Sequence, residues 1–234
     1  MAGQFSMQFV LVPGAWLGSW AWKKVTPILE RRGHEVFPVT LTGMGDRFHL
    51  ASEEVGIETG IQDVLNVIEF NDIDDFVLVG HSFAGKLVAA VADKTRKKVK
   101  SLLFLDAFRP QNVRTPQGGF ADEFPVEGWR VPFPMGILDQ AGKDLRGTDR
   151  EWMLSKVTPL PVKYFRDSIT LSEKFEFVKK ANIFCSEGGD SIDEILSGKW
   201  GKVQGPHEVI DSGHWPMITK PDVLVEAMLG LVPR

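Results

Sequence analysis

Residues 76–85 read FVLVGHSFAG, and this stretch decides the fold class. Its first four residues form a short apolar run, typical of a strand that is buried on both faces. Small residues then surround Ser82, and the helical pattern of residues 87–92 follows. A strand that turns sharply into a helix presents a serine hydroxyl above the edge of a parallel sheet. We therefore predict that Ser82 is a nucleophile on such a turn.

The residues on either side of Ser82 support this interpretation. Gly80 and Ala84 are small enough to let a strand and a helix cross closely. The motif usually has glycine at the second flanking position, and Ala84 is the smallest departure from it. A Gly-x-Ser-x-small pattern alone also occurs in ordinary turns, so the strand before it and the helix after it carry the prediction.

The rest of the chain alternates between predicted strands and helices with short connections. Continuous apolar strands of this kind predict a mostly parallel central sheet with helices on both faces, the α/β class. The length of 234 residues fits a single domain over residues 1–234. We predict strands at 7–12, 34–40, 76–79, 99–105, 181–186 and 207–210, and helices at 20–32, 59–70 and 221–231.

Residues 108–180 interrupt this alternation. The stretch holds seven of the 14 prolines and many aromatic residues, and it is too long for a connecting loop in a compact domain. We predict a helical cap that is inserted into the sheet and roofs an apolar pocket. The alternative is a surface excursion whose aromatic side chains pack on the core.

A serine hydroxyl is a weak nucleophile until a base takes its proton. His214 is the best candidate for that base, because it follows the last predicted strand and a glycine. His34 and His207 lie at strand positions, and His49 lies among charged residues in a loop. His81 directly precedes the nucleophile, where we expect it to support the turn.

The base must itself be oriented by an acid, which is expected after the strand at 181–186. Asp190 is favoured, because the glycines at 188–189 give the sharp turn that an acid at a strand end needs. Glu187 and Asp193 lie in the same loop. Asp106, at the end of the strand at 99–105, is a serious rival. For either aspartate the structural alternative is a helix cap or a loop hydrogen bond.

Acyl transfer also needs two N–H donors that face the developing negative charge. Phe83, directly after the nucleophile, supplies one such N–H group. The turn after the first strand supplies the other, and Gly14 allows its backbone to approach closely. We predict that Ala15 is the second donor.

Composition narrows the possible partners. The net charge of −4 and the pI of about 5.8 argue against a nucleic-acid partner, and no apolar stretch reaches the length that spans a membrane. Cys185 is the one cysteine, so neither a disulfide within the chain nor a multi-thiolate metal site can form. We expect a cytoplasmic protein with no metal. The basic run at 94–100 fits a solvated helix end.

Several of these segments resemble one known group. Residues 9–22 (FVLVPGAWLGSWAW), 80–82 (GHS), 105–110 (LDAFRP) and 213–214 (GH) resemble the α/β-hydrolase superfamily, in particular plant methyl esterases, hydroxynitrile lyases and their bacterial esterase relatives. The resemblance covers both ends and the middle of the chain. It implies the α/β-hydrolase fold, no cofactor, and a Ser-His-Asp triad that falls on Ser82, His214 and Asp190.

Three departures from that family bear on function. Pro13 replaces the usual histidine, the loop that carries Asp190 is lengthened, and Trp215 follows His214 where the lyases have a lysine. The last departure favours hydrolysis of a small, apolar or aromatic carboxylic ester. Cyanohydrin cleavage, lactone hydrolysis and a binding protein with an idle triad are the alternatives. We expect a small-molecule ester as partner, and a homodimer is compatible with the sequence.

Overall fold

A six-stranded parallel sheet forms the centre of the protein, whose computed structural model describes residues 6–110 and 124–232. The spatial order of its strands is β2-β1-β3-β4-β7-β8, and a separate antiparallel pair joins β5 to β6. The predicted parallel α/β architecture is confirmed. In chain order the strands are β1 (Gln8–Val12), β2 (Glu35–Pro38), β3 (Phe76–His81), β4 (Val99–Leu105), β5 (Arg130–Val131), β6 (Leu160–Pro161), β7 (Lys180–Glu187) and β8 (His207–Gly213).

The described helices differ from prediction mainly near the start of the chain. The helix predicted over 20–32 is broken into a 3₁₀ turn, Ser19–Trp22, and a short α-helix. Pro27 explains the break, because proline lacks an N–H and fits only in the first turn of an α-helix. The α-helices are α1 (Thr26–Arg31), α2 (Ile57–Phe70), α3 (Ala84–Lys94), α4 (Ile137–Ala141), α5 (Gly147–Leu154), α6 (Lys163–Arg166), α7 (Ile192–Leu196), α8 (Pro216–Thr219) and α9 (Pro221–Leu231).

Apolar side chains cover both faces of the sheet. Successive strand residues point to opposite faces, so Phe9 and Leu11 pack in a cluster with α1 and α9. Val10 and Val12 pack in the other cluster, with α2 and α3. This two-sided burial is why the strands read as unbroken apolar runs rather than alternating ones.

Residues 124–179 lie between β4 and β7 and are called the inserted segment hereafter. It contains the β5–β6 pair, helices α4 to α6 and a 3₁₀ turn, Glu173–Phe177. The Tyr164 hydroxyl ties it to the loop after β2 by donating to the Thr42 carbonyl at 2.9 Å. Residues 111–123 of the predicted cap lie outside the described residues, and the cap itself stays a prediction.

The topology brings several loops to one edge of the sheet. In parallel strands the carboxyl ends lie together, and ligands bind there in open α/β sheets. Ser82, Asp106 and His214 directly follow β3, β4 and β8. Across the described helices, none is long and apolar enough to cross a membrane.

Candidate active site

Ser82 occupies a strained turn between β3 and α3. Its backbone φ is +57°, in the left-handed region that few residues other than glycine adopt. The Ser82 N–H donates to the Leu105 carbonyl and its own carbonyl accepts from the Phe108 N–H, both at 3.1 Å. A Cβ at Gly80 would overlap Val88, so the strand and the helix can cross only with glycine there. The turn therefore fixes the hydroxyl at the sheet edge.

A hydrogen-bonded chain of three side chains starts at this hydroxyl. His214 Nε2 lies 2.9 Å from Ser82 Oγ, and His214 Nδ1 lies 2.6 Å from Asp106 Oδ2. Because an ionised carboxylate only accepts, the Nδ1 atom carries the imidazole proton in this arrangement. The Nε2 lone pair then faces the serine hydroxyl, which is the arrangement in which histidine can remove its proton.

The Asp106 side chain is anchored and almost wholly buried, with 7% of it exposed. Its backbone has a φ of +42°, and its N–H donates to the Ile183 carbonyl in β7 at 2.8 Å. The Cys185 N–H donates to Oδ1 at 3.3 Å, which leaves Oδ2 for the histidine. A Cβ at Gly188 would overlap this carboxylate, so the glycine after β7 makes room for Asp106.

The acid next to His214 is therefore Asp106, and the prediction of Asp190 for this position is wrong. Asp190 Oδ1 instead accepts from Lys199 Nζ at 2.5 Å, and Oδ2 accepts from the Trp200 indole N–H. Gly188 accommodates the Asp106 carboxylate rather than positioning Asp190. Glu187, at the end of β7, and Asp193, in α7, are exposed.

His81 contacts His214 and supports it. Its Nε2–H donates to the His214 carbonyl at 2.8 Å, and the two ring centroids are 4.6 Å apart. Burial, with a smaller contribution from the neighbouring His214, holds the pKa of His81 well below its usual value. His81 is therefore a neutral support that fixes the base.

The two predicted oxyanion donors lie beside Ser82. Ala15 and Phe83 are both buried and line the same cavity as Ser82 and His214. Within the described part of the chain, neither backbone N–H donates a hydrogen bond. Two uncommitted N–H groups next to a serine hydroxyl are able to bind a developing oxyanion.

The cavity above Ser82 has a volume of about 650 Å³. Trp16 and Phe165 stand edge-on with centroids 5.9 Å apart, and Phe124 lies 5.7 Å from Phe165. A cavity of this size with one aromatic wall suits a small apolar molecule. Its aromatic lining residues are Trp16, Phe83, Phe108, Phe124, Phe165 and Trp200, and the charged or amide side chains are Asp106, Arg109, Asp139, Gln140, Lys143 and Asp190.

The inserted segment also contacts the loop that carries His214, and no local sequence pattern predicts these contacts. The His214 N–H donates to the Ala141 carbonyl at 2.8 Å. Asp144 Oδ2 accepts from Thr219 Oγ1 at 2.7 Å, and the absence of a side chain at Gly213 leaves room for Asp144. These contacts join residues about 70 positions apart, so no local pattern signals them.

Arg109 is a further buried residue at the site that sequence reasoning did not single out. Its guanidinium donates to the carbonyls of Ala107 and Gly201 at 3.1 and 3.2 Å. Burial lowers the pKa of Arg109 to about 10, although the nearby Asp106 opposes that shift. Arg109 thus joins the loop after β4 to the loop before β8. Among the described residues, no group of three or more His, Cys, Asp or Glu is placed to hold a metal ion.

Comparison with known proteins gives the family of the chain. The alpha/beta hydrolase family matches the chain over residues 9–227. The chain belongs to this family. A carbendazim hydrolyzing esterase from a Nocardioides species is 30% identical to it, with 95% of this chain and 98% of that protein aligned. Methylesterase 2 of Arabidopsis thaliana is also 30% identical, with 95% of each chain aligned.

A solved structure extends the comparison to the fold. An extracellular alpha/beta-hydrolase from a Paenibacillus species has a TM-score of 0.81 and 21% identity, and the match covers 97% of this chain and 100% of that one. Family and relatives together identify an alpha/beta hydrolase of the methylesterase group and a carboxylesterase-type hydrolase, as the motifs predicted. The expected cytoplasmic location stays a prediction.

Proposed function

We propose that this alpha/beta hydrolase cleaves a small, apolar or aromatic carboxylic ester, using Ser82, His214 and Asp106. One observation carries the proposal. Ser82 Oγ, the His214 ring and the Asp106 carboxylate form a continuous chain, with distances of 2.9 and 2.6 Å, that opens into an aromatic-walled cavity. Esterases among the relatives support the same reaction class.

The first half of the reaction forms an acyl-enzyme. Ser82 Oγ attacks the ester carbonyl carbon while His214 Nε2 takes the hydroxyl proton, and Asp106 stabilises the resulting imidazolium. The carbonyl oxygen becomes an oxyanion that accepts from the Ala15 and Phe83 N–H groups. The carbon–oxygen bond to the alcohol then breaks, and His214 returns the proton to the departing alcohol.

The second half repeats the sequence with water. His214 takes a proton from water as the oxygen attacks the acyl carbon, and the bond to Ser82 Oγ breaks. The proton passes back to Ser82, the carboxylic acid leaves, and the enzyme is regenerated. Every proton transfer uses the same nitrogen, so no metal or cofactor enters the scheme.

The neighbour of His214 favours hydrolysis over cyanohydrin cleavage. The lyases that the sequence resembles carry a lysine directly after the histidine, whereas this chain has Trp215, which is 2% exposed and packs beside Gly142. No ammonium therefore stands at that position to stabilise a cyanide ion. Lactones share the ester group and belong in the same substrate panel.

Labelling with diisopropyl fluorophosphonate, followed by peptide mapping, tests the proposal. We expect one adduct on Ser82 in the wild type and none in His214→Ala. His49→Ala is the matched control, because His49 is exposed and lies outside the cavity. Labelled protein should also lose hydrolysis of methyl and aryl esters. The proposal would be contradicted by a folded wild type that is not labelled. It would also be contradicted by cyanide release from a cyanohydrin without ester turnover.

A further inference from the structure

Trp16 has an unusual backbone conformation directly after the proposed oxyanion donor Ala15. Its φ is +66°, in the left-handed region that bulky side chains rarely occupy. Residues persist in such a conformation only where their surroundings hold them there. Contacts with the rest of the protein must therefore hold Trp16 in this conformation.

Two hydrogen bonds tie Trp16 to the inserted segment. Its indole N–H donates to the Val131 carbonyl in β5 at 3.0 Å, and this bond is buried. Its backbone carbonyl accepts from the Thr158 N–H at 3.1 Å. Thr158 Oγ1 in turn accepts from the Gly45 N–H at 3.0 Å, so the second tether is itself anchored to the loop after β2.

Three aromatic rings of the inserted segment hold the indole in place. The rings of Phe124, Phe133 and Phe165 stand edge-on to Trp16, with centroids 5.3, 5.5 and 5.9 Å away. Edge-to-face pairs at these separations are favourable. Only 5% of Trp16 is exposed, so its side chain has little freedom to move.

We propose that Trp16 is a positioning residue, through which the inserted segment holds the Ala15 N–H in place for the oxyanion. This inference rests on the proposed ester hydrolysis. The Ala15 N–H lies one residue before the strained φ, so relaxation at Trp16 displaces that donor. Oxyanion stabilisation depends on donors that are fixed before the reaction begins. The inserted segment thus serves the chemical step as well as lining the cavity.

Trp16→Phe tests the proposal, because it keeps an aromatic ring and removes the indole N–H. We expect kcat for an ester substrate to fall by about tenfold or more, since small displacements of a catalytic group are costly, while KM stays within about twofold. Trp20→Phe is the matched control. The Trp20 indole nitrogen is buried without a partner among the described residues, and Trp20 packs on Trp152 away from the cavity.

A transition-state analogue separates positioning from general loss of structure. Affinity for a trifluoromethyl ketone should fall in Trp16→Phe in proportion to kcat/KM, whereas affinity for the product alcohol, which carries no negatively charged oxygen, should change little. Replacing Trp16 by benzothienylalanine, which matches indole in shape but lacks the N–H, provides a second variant with less risk of misfolding. It should show the same loss of kcat.

The outcomes of these experiments distinguish the proposed role of Trp16 from the proposed ester hydrolysis. An active wild type whose kcat is unchanged by both Trp16 replacements would overturn the role of Trp16 and leave ester hydrolysis standing. Equal losses of analogue and product affinity would also overturn it, because they indicate a general loss of the site. A folded wild type that neither turns over esters nor labels at Ser82 would overturn both.

Discussion

Asp106 Oδ2 lies 2.6 Å from His214 Nδ1, although 108 positions separate the two residues in the chain. The strand order β4-β7-β8 places β7 between the strands that carry them. The Asp106 carboxylate therefore reaches across the end of β7, where Cys185 donates to it and Gly188 leaves it room. The contact between Asp106 and His214 therefore depends on the positions of β4, β7 and β8 together.

Asp106→Asn should lower kcat for ester hydrolysis by about 10³–10⁴-fold, because an amide no longer fixes the tautomer and charge of His214. Asp190→Asn should keep kcat within about tenfold, because its bonds go to Lys199 and Trp200 rather than to the base. Steady-state kinetics on one aryl ester compares the two variants. A larger loss of kcat in Asp190→Asn than in Asp106→Asn would show that Asp190 is the acid that orients His214.

Gly188→Ala should also reduce kcat, since a Cβ there overlaps the Asp106 carboxylate. The double variant Gly188→Ala, Asp106→Asn should have a kcat only a little below that of Asp106→Asn alone, because both changes act on the Asp106 carboxylate. Gly230→Ala controls for the substitution itself, as its nearest neighbour is Glu208 Oε2 at 3.8 Å. Fully additive losses would show that Gly188 acts elsewhere.

The strands and the nucleophile were predictable because local sequence encodes them. The apolar run at 76–79 and the small residues around Ser82 report burial and a tight turn directly. The position of His214 followed from chain order. The same reasoning could not choose between Asp106 and Asp190, because each follows a buried strand and only the packed sheet shows which carboxylate meets the histidine.

Positive φ angles explain why some features of the site could not be predicted from the sequence. Asp106 and Trp16 adopt left-handed backbone conformations, with φ angles of +42° and +66°, although neither is glycine. Their residue types therefore do not indicate these turns in the sequence. The contacts of Ala141 with the loop that carries His214 and of Val131 with Trp16 likewise join distant parts of the chain. These features arise from tertiary packing, which overrides local preference.

His81 should make the protein sensitive to mild acid. Its pKa is held well below its usual value by burial and by the nearby His214, whereas in the unfolded chain it titrates near pH 6.5. As pH falls below about 6.5, the unfolded state gains a proton that the folded state does not bind. The free energy of unfolding should therefore fall, by at most about 1.4 kcal/mol per pH unit from this residue.

Urea unfolding of the wild type and His81→Gln at pH 7, 6 and 5 measures this contribution. Glutamine keeps an N–H that can donate to the His214 carbonyl but cannot titrate. The variant should lose less stability than the wild type on acidification. Parallel losses would assign the acid sensitivity to other groups, such as His34, whose pKa is also lowered by burial.

Lys86 should produce a pH dependence of the same sign at alkaline pH, with stability rising as pH rises. It lies in α3, and its ammonium donates to the Asp167 carbonyl at 2.5 Å at the end of α6. Burial lowers the pKa of Lys86 to about 8, although the nearby Asp167 opposes the shift. Between about pH 8 and 10.5 the unfolded chain keeps a proton that the folded state has lost, so Lys86 adds stability as pH rises through this window.

Comparing the wild type with Lys86→Met at pH 7.5, 8.5 and 9.5 isolates this effect from other titrations. The stability of the wild type relative to the variant should increase with pH, by about 1–3 kcal/mol over the whole window. Lys100→Met is a suitable control, because it makes the same substitution at a lysine whose ammonium pairs with a carboxylate, that of the exposed Asp75, at 3.1 Å. A difference that stays constant or falls with pH would show that the Lys86 ammonium keeps its proton in the folded state, held by the carbonyls that it contacts.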